Sequence, residues 1–154
     1  MTYLLTIPGE PAGKARPRVT RSGIAYTPVK SKNYETLAQE LFYTTHGSPM
    51  LAGEVKATIK AFYGLNKSDY GARGLTAAGI RKLSGQTRPT KKPDVDNIAK
   101  MILDSLNGIA YTDDSQVVVL NIEKHYAENP RVELEISRIG GYEHEIDDKQ
   151  ITLE

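Results

Sequence analysis

Four aspartates in the second half of the chain have the type and spacing to hold a hard cation. Asp94 and Asp96 fall in KKPDVDNIAK, and Asp113 and Asp114 fall in YTDDSQ. Mg²⁺ takes oxygen ligands, usually one or two carboxylates completed by water and substrate phosphate oxygens. Two acids from one element and one or two from another make such a site. Asp94 and Asp96 are two residues apart, so on a regular helix they face different ways. They converge only if Pro93 and Asp94 stay extended and the helix starts near Asp96. Pro93 favours this, because it fixes its own φ and biases Lys92 away from helix. Each acid also has an ordinary use. Asp94 or Asp96 can be a helix N-cap, and Asp113 and Asp114 can be turn formers.

Lys100 follows Asp96 by four residues, one turn along the same helix face. Asp104 extends that face by another turn. Lys100 can form an i,i+4 ion pair worth a few tenths of a kcal/mol. It can instead set its ammonium against a scissile phosphate and offset charge developing in the transition state. Asp104 reads as structural, pairing with Lys100 or with solvent.

A second kind of chemistry is phosphate binding. The segment GKARPRVTRSGIAYTP carries Lys14, Arg16, Arg18 and Arg21, with Pro17 and Gly23 preventing a helix. An extended loop of this kind lays forked guanidinium groups along phosphates. Solvated basic loops are also common. Further on, Arg73, Arg81, Lys82, Arg88, Lys91 and Lys92 add positive charge just upstream of the first two aspartates. Of these, Lys91 and Lys92 join the loop cations as candidate DNA contacts. There is no Walker loop, no zinc-spaced His pair and no Gly-x-Ser-x-Gly. His46, His125 and His144 are isolated and receive no role.

These residues need elements to position them. Residues 2–7 read as a strand ended by Pro8 and Gly9. Residues 8–29 read as a Pro-, Gly- and Arg-rich loop with a short extended piece at 24–26. A helix is expected over 31–45, with Ser31 as N-cap and an apolar face of Tyr34, Leu37, Ala38, Leu41 and Phe42. Residues 54–63 alternate as a half-buried strand. Residues 64–92 form a basic insertion of weak core signal, with a short helix at 76–83. The Asp94/Asp96 helix runs to Leu106, buries Val95, Ile98, Ala99, Ile102 and Leu106, and ends at Asn107-Gly108. Residues 117–126 and 131–138 read as two strands joined by the turn AENP as a hairpin. The order β, α, β, insertion, α, β, β predicts an α/β (α+β) fold: a small mixed β-sheet with two main helices packed on it. One domain is expected over 1–138, followed by an acidic tail over 139–154.

Composition agrees with that outline. The chain has 154 residues, 39% hydrophobic and 25% charged, which suits one globular domain. It has no cysteine, so disulfides and thiolate metal sites are excluded and a cytoplasmic location is the default. Residues 1–11 lack the basic and apolar regions of a signal peptide. No segment approaches the roughly 18 consecutive apolar residues of a membrane span. Net charge is +1, yet the balance is +5 over residues 1–34, +7 over 56–100 and −8 over 101–154. Basic segments beside concentrated acids suit a protein that attracts phosphate and holds a divalent cation.

Taken together, KKPDVDNIAKMILDSLNGIAYTDDSQVVVLNIEK resembles the central segment of the RusA family of crossover junction endodeoxyribonucleases. GEPAGKARPR with AYTP resembles the N-terminal segment of bacterial and phage members. The resemblance covers most of residues 1–138, and the PDVDN, helix, DDSQ combination is its specific part. It implies an α/β homodimer that binds four-way DNA junctions (Holliday junctions) and resolves them by symmetric paired nicks with Mg²⁺, in recombination and repair. By position, Asp94, Asp96 and Asp114 would be the metal-binding carboxylates. Lys100 would be the catalytic or DNA-contacting lysine, and Asp113 a secondary ligand or helper. A C2 dimer matches the approximate two-fold symmetry of a junction. The 64–92 insertion is longer than in compact members, and the tail after Arg138 has no counterpart. Two other readings are a nuclease selective for flaps or forks and a non-catalytic junction-binding module.

Overall fold

The computed structural model describes residues 1–140. The expected acidic tail therefore lies almost wholly outside the described residues. Four long strands make one mixed sheet: β1 (Thr2–Pro8), β4 (Val55–Tyr63), β7 (Val117–Tyr126) and β8 (Arg131–Arg138), in the order β1-β8-β4-β7. β8 runs antiparallel to both β1 and β4, while β7 runs parallel to β4. The alternation foreseen in β4 is present. Val55, Ala57, Ile59, Ala61 and Tyr63 are buried, and Lys56 and Lys60 point to the exposed face. Leu5 and Ile7 of β1, with Val132, Leu134 and Ile136 of β8, join the buried face.

Helices α1 (Val29–His46) and α3 (Val95–Ser105) cover that face. Ala38 and Phe42 of α1 meet Ile98, Ala99 and Ile102 of α3 in the same core. The predicted mixed sheet with two main helices is thus the observed architecture, a two-layer α/β arrangement.

Three expectations need correction. Val95, expected in the buried stripe of α3, is 41% exposed at the first position of the helix. β7 and β8 are not a hairpin: β4 lies between them, so residues 127–130 carry the chain across the end of a strand rather than around a tight turn. Sequence could not separate these cases, because a four-residue link is long enough for either. Ser31 is also not the N-cap of α1. The helix begins one turn earlier, at Val29, with Pro28 in the N-cap position and no side-chain cap hydrogen bond. The buried Ser31 hydroxyl instead accepts a hydrogen bond from Ala15 N–H at 3.2 Å.

The early loop holds a small ladder, β2 (Arg18–Val19) against β3 (Ala25–Tyr26). The latter falls on the extended piece expected near 24–26. The 64–92 insertion folds on itself. Strands β5 (Tyr70–Gly71) and β6 (Gly74–Leu75) pair, and α2 (Ala77–Leu83) follows with Thr76 as its N-cap. Its centre is Asp69, buried and accepting from Lys82 Nζ at 2.8 Å and Asn66 N–H at 2.7 Å. A buried ion pair takes the place of the apolar core that this segment lacks. No helix among the described residues is long and apolar enough to cross a membrane.

Candidate active site

α3 positions most of the chemistry. Pro93 precedes it, and the Tyr63 hydroxyl donates to the Pro93 carbonyl at 2.7 Å. This bond ties the helix entry to the end of β4. Burial, together with Asp94 and Glu10 nearby, pushes the Tyr63 phenol up to about 12, so it stays a donor at any ordinary pH. Asp94 is the N-cap residue with extended backbone, and the helix starts at Val95. That is the geometry the Pro93 argument required. Asp94 makes no side-chain cap hydrogen bond, so its carboxylate is not used by its own helix. Asp96 lies in the first turn and is exposed.

Asp96, Lys100 and Asp104 follow at four-residue intervals on one helix face. Lys100 is exposed and forms no salt bridge among the described residues, so the alternative of an ion pair with Asp96 or Asp104 is not made there. Asp104 is instead paired with Lys14, at 2.5 Å from Nζ to Oδ2. It also lies within hydrogen-bonding reach of Asp114.

Asp114 opens a 3₁₀ turn, Asp114–Gln116, whose N-cap is Asp113. The Asp113 carboxylate accepts from Ser115 N–H at 3.0 Å, and the hydrogen bonds from Ser115 hold it below the usual carboxylate range. Asp113 is thus a turn former here. Gln116 fixes the whole turn. Its Oε1 accepts from the N–H groups of Thr112 and Asp113 at 2.9 and 3.2 Å. Its Nε2 donates to the carbonyls of Leu51 and Gly53 at 2.8 and 3.0 Å. Tyr111, fully buried beside the acid pair, donates its hydroxyl to Leu103 O at 2.6 Å.

Asp104 and Asp114 behave as one unit. The hydrogen bond with Asp104, burial and the two neighbouring negative charges push Asp114 up to about 6. Burial raises Asp104 too, but the Asp114 hydrogen bond and the Lys14 ammonium outweigh it and leave Asp104 below its ordinary value. The pair therefore holds a shared proton only below about pH 6, and above it both carboxyls are ionised.

The basic loop lies against the other end of α3. A groove of about 880 Å³ is lined by Lys14, Arg16, Arg18, Lys30 and Lys92, with Asp94 and Glu10 as its acids. Glu10 is engaged, accepting from Gly64 N–H at 3.0 Å, so Asp94 faces a cationic groove. Tyr34 also lines it, and its buried hydroxyl has no partner among the described residues. Arg21 and Lys91 do not line the groove. Arg21 stands exposed beside the small β2–β3 ladder, and Lys91 reaches the Tyr63 ring, 5.8 Å from its centroid.

The carboxylates therefore fall in two places. Asp94 and Asp96 sit at the N-terminus of α3. Asp114 sits with Asp104 two turns further on. Among the described residues no three His, Cys, Asp or Glu side chains are gathered as a ready metal centre. Mg²⁺ does not need three, since water and phosphate oxygens complete its shell. The donors are all carboxylate oxygens, and two of them crowd each other enough to raise Asp114 to about 6. Both features fit a hard divalent cation. The sequence alone underrates Asp104, gives Gln116 no role, and places Tyr34 only on the apolar face of α1. The four-residue spacing from Asp96 through Lys100 was the available signal for Asp104.

Residues 8–137 match the family model described as Endodeoxyribonuclease RusA. The chain is also 35% identical over 137 residues to YqaN of Bacillus subtilis (strain 168), itself uncharacterized, covering 87% of this chain and 94% of that protein.

Proposed function

Because the chain belongs to the RusA family of endodeoxyribonucleases, we propose that it resolves four-way DNA junctions by Mg²⁺-dependent, symmetric paired nicks. The observation that carries this reading is Asp94. It is an N-cap carboxylate with no bond to its own helix, facing a groove whose other free charges are cations. A groove for a polyanion has little use for a free carboxylate unless a cation bridges the two.

In this reading Arg16, Arg18 and Lys92 hold the phosphate backbone of a junction arm, with Arg21 and Lys91 outside the groove reaching flanking phosphates. Asp94, Asp96 and Asp114 would hold the metal, with water and phosphate oxygens completing its shell. When bound, Mg²⁺ polarises the phosphate and lowers the pKa of an attacking water. Lys100, exposed between the two carboxylate sets and unpaired among the described residues, offsets the charge that builds on the phosphate oxygens. Asp114 must release its proton to bind the metal, so the site favours neutral pH over acid.

A homodimer supplies two such sites to matching strands. Its support is β7, an edge strand on which Val118, Val119 and Leu120 are consecutive, apolar and exposed. Exposed edges of this kind pair readily with another strand. Recombination and repair in the cytoplasm follow as the setting for this activity.

A cleavage panel tests the proposal: a synthetic four-way junction, a flap and a linear duplex, each with and without Mg²⁺. Paired nicks at symmetric positions in the junction, dependent on Mg²⁺, are expected. Equal cutting of the flap would point to a broader structure-selective nuclease. Binding without cutting at any Mg²⁺ concentration would leave a junction-binding module.

A further inference from the structure

Lys14 was expected among the DNA contacts, but its surroundings argue otherwise. Its ammonium lies 2.5 Å from Asp104 Oδ2, across 90 residues of chain, and the two side chains are only 29% and 20% exposed. A pair shielded to this degree is little weakened by salt, and removing one partner leaves the other charge uncompensated. The backbone beside it is fixed at three further points. Lys14 N–H donates to Asn97 O at 3.4 Å and Ala15 N–H to Ser31 Oγ at 3.2 Å. Gly13 packs so closely on α3 that a Cβ there would stand 2.5 Å from Asn97 Nδ2 and 2.9 Å from Pro93 Cβ. Arg16, Arg18 and Arg21, just beyond, are exposed. The arginines are free to meet phosphates, whereas Lys14 is not.

We propose that Lys14 is a positioning residue for strand cleavage, acting through Asp104, and is not itself a contact to DNA. Asp104 stands beside Asp114, so its charge bears directly on a proposed metal-binding carboxylate. The Lys14 ammonium offsets that charge and holds the Asp104 side chain in place. The same side chain fastens residues 13–15, and with them the base of the arginine loop, to α3. One ion pair therefore sets the phosphate-holding loop and the Asp114 end of the site relative to each other. This inference rests on the nuclease reading above for its effect on cleavage, but not for its effect on the loop.

The experiment uses the full chain with Lys14→Met, Asp104→Asn, the double variant, Lys14→Arg, and Arg16→Ala as a control. Binding to a synthetic four-way junction is measured in EDTA across salt concentrations. Single-turnover cleavage is measured at saturating enzyme with Mg²⁺, and amide hydrogen exchange is followed in residues 14–18. A lost phosphate contact lowers the slope of log K against log salt by roughly 0.9 on duplex DNA. Arg16→Ala should show that drop and Lys14→Met should not. Lys14→Met and Asp104→Asn should each slow single-turnover cleavage by about tenfold or more, and the double variant should be no slower than the worse single one. Lys14→Arg should recover most of the rate. Exchange in residues 14–18 should quicken in both single variants. A slope reduced by roughly 0.9 in Lys14→Met, with cleavage within about twofold of the parent, would make Lys14 an ordinary DNA contact. Unchanged exchange in both single variants would equally overturn the proposal. If the parent protein cuts no substrate, the nuclease reading fails, while the exchange measurement still decides whether the pair positions the loop.

Discussion

Asp114 keeps its proton to a higher pH than an isolated aspartate does, and this has consequences for stability and for metal binding. Its folded pKa, about 6, stands above the ordinary 3.8. A raised value means that its contribution to stability is fully present below about 3.8 and is lost as pH rises through about 6. Asp114→Asn should therefore flatten part of the stability curve of the metal-free protein in that window. Urea midpoints taken from pH 4 to pH 7 would show it, and identical curves for parent and variant would refute it. Asp104 is lowered, so its own contribution falls only in more acidic solution, below the window of Asp114. Mg²⁺ binding has the opposite sense. It requires the carboxylate, so affinity should weaken as pH falls through about 6, which calorimetry at pH 5.5 and 7.5 can read. Asn at Asp94 or Asp96 should abolish cleavage while leaving junction binding intact or tighter, because a repulsive charge is removed. Lys100 has no salt-bridge partner among the described residues, so Lys100→Ala should melt with the parent yet cleave roughly 10²-fold more slowly in single turnover, the range for removing a positioned electrostatic donor. A near-normal single-turnover rate would leave Lys100 no part in the chemistry.

At the level of elements, the turn that carries Asp114 depends on one glutamine. Gln116 makes four hydrogen bonds, two to the turn and two to the chain just before β4. Gln116→Ala should cost about 1–3 kcal/mol, since several half-shielded backbone groups lose their partner. It should also lower cleavage by loosening Asp114, and a urea melt with a single-turnover assay checks both. The apolar stripe of α3 and the alternation of β4 were readable because burial repeats with the period of each element. Asp94 was readable because Pro93 dictates local backbone. The partners of Asp104 and Ser31 were not. Lys14 reaches Asp104 across 90 residues, and Ala15 reaches Ser31 across a loop, so no local period records either contact. The insertion was opaque for a related reason. Its centre is a polar side chain, Asp69, where pattern reading looks for apolar ones. The link 127–130 was misread because strand adjacency in a mixed sheet is decided by the whole topology and not by loop length.

For the whole molecule, the exposed apolar run on the β7 edge leads to an expectation in solution. Light scattering at micromolar concentration should report about twice the 17.0 kDa chain mass. Charged replacements at Val118 and Leu120 should return the monomer, and a parent that is monomeric both free and on a junction would contradict the dimer. The position of β8 bears on how the molecule comes into being. It is last among the described strands in sequence, yet it sits second in the sheet, with β1 on one side and β4 on the other. During synthesis β1, β4 and both main helices all emerge before it. Until β8 arrives, β1 has no neighbour in the sheet, and the inner side of β4 is bare. The arginine loop, which leaves directly from β1, then has only its contacts to the helices to hold it. A ribosome-bound chain that stops short of residue 131 should thus be open to protease across both early strands, and should neither bind nor nick DNA. The sheet that carries the arginine loop and the helices is therefore closed only when residues 131–138 have been made.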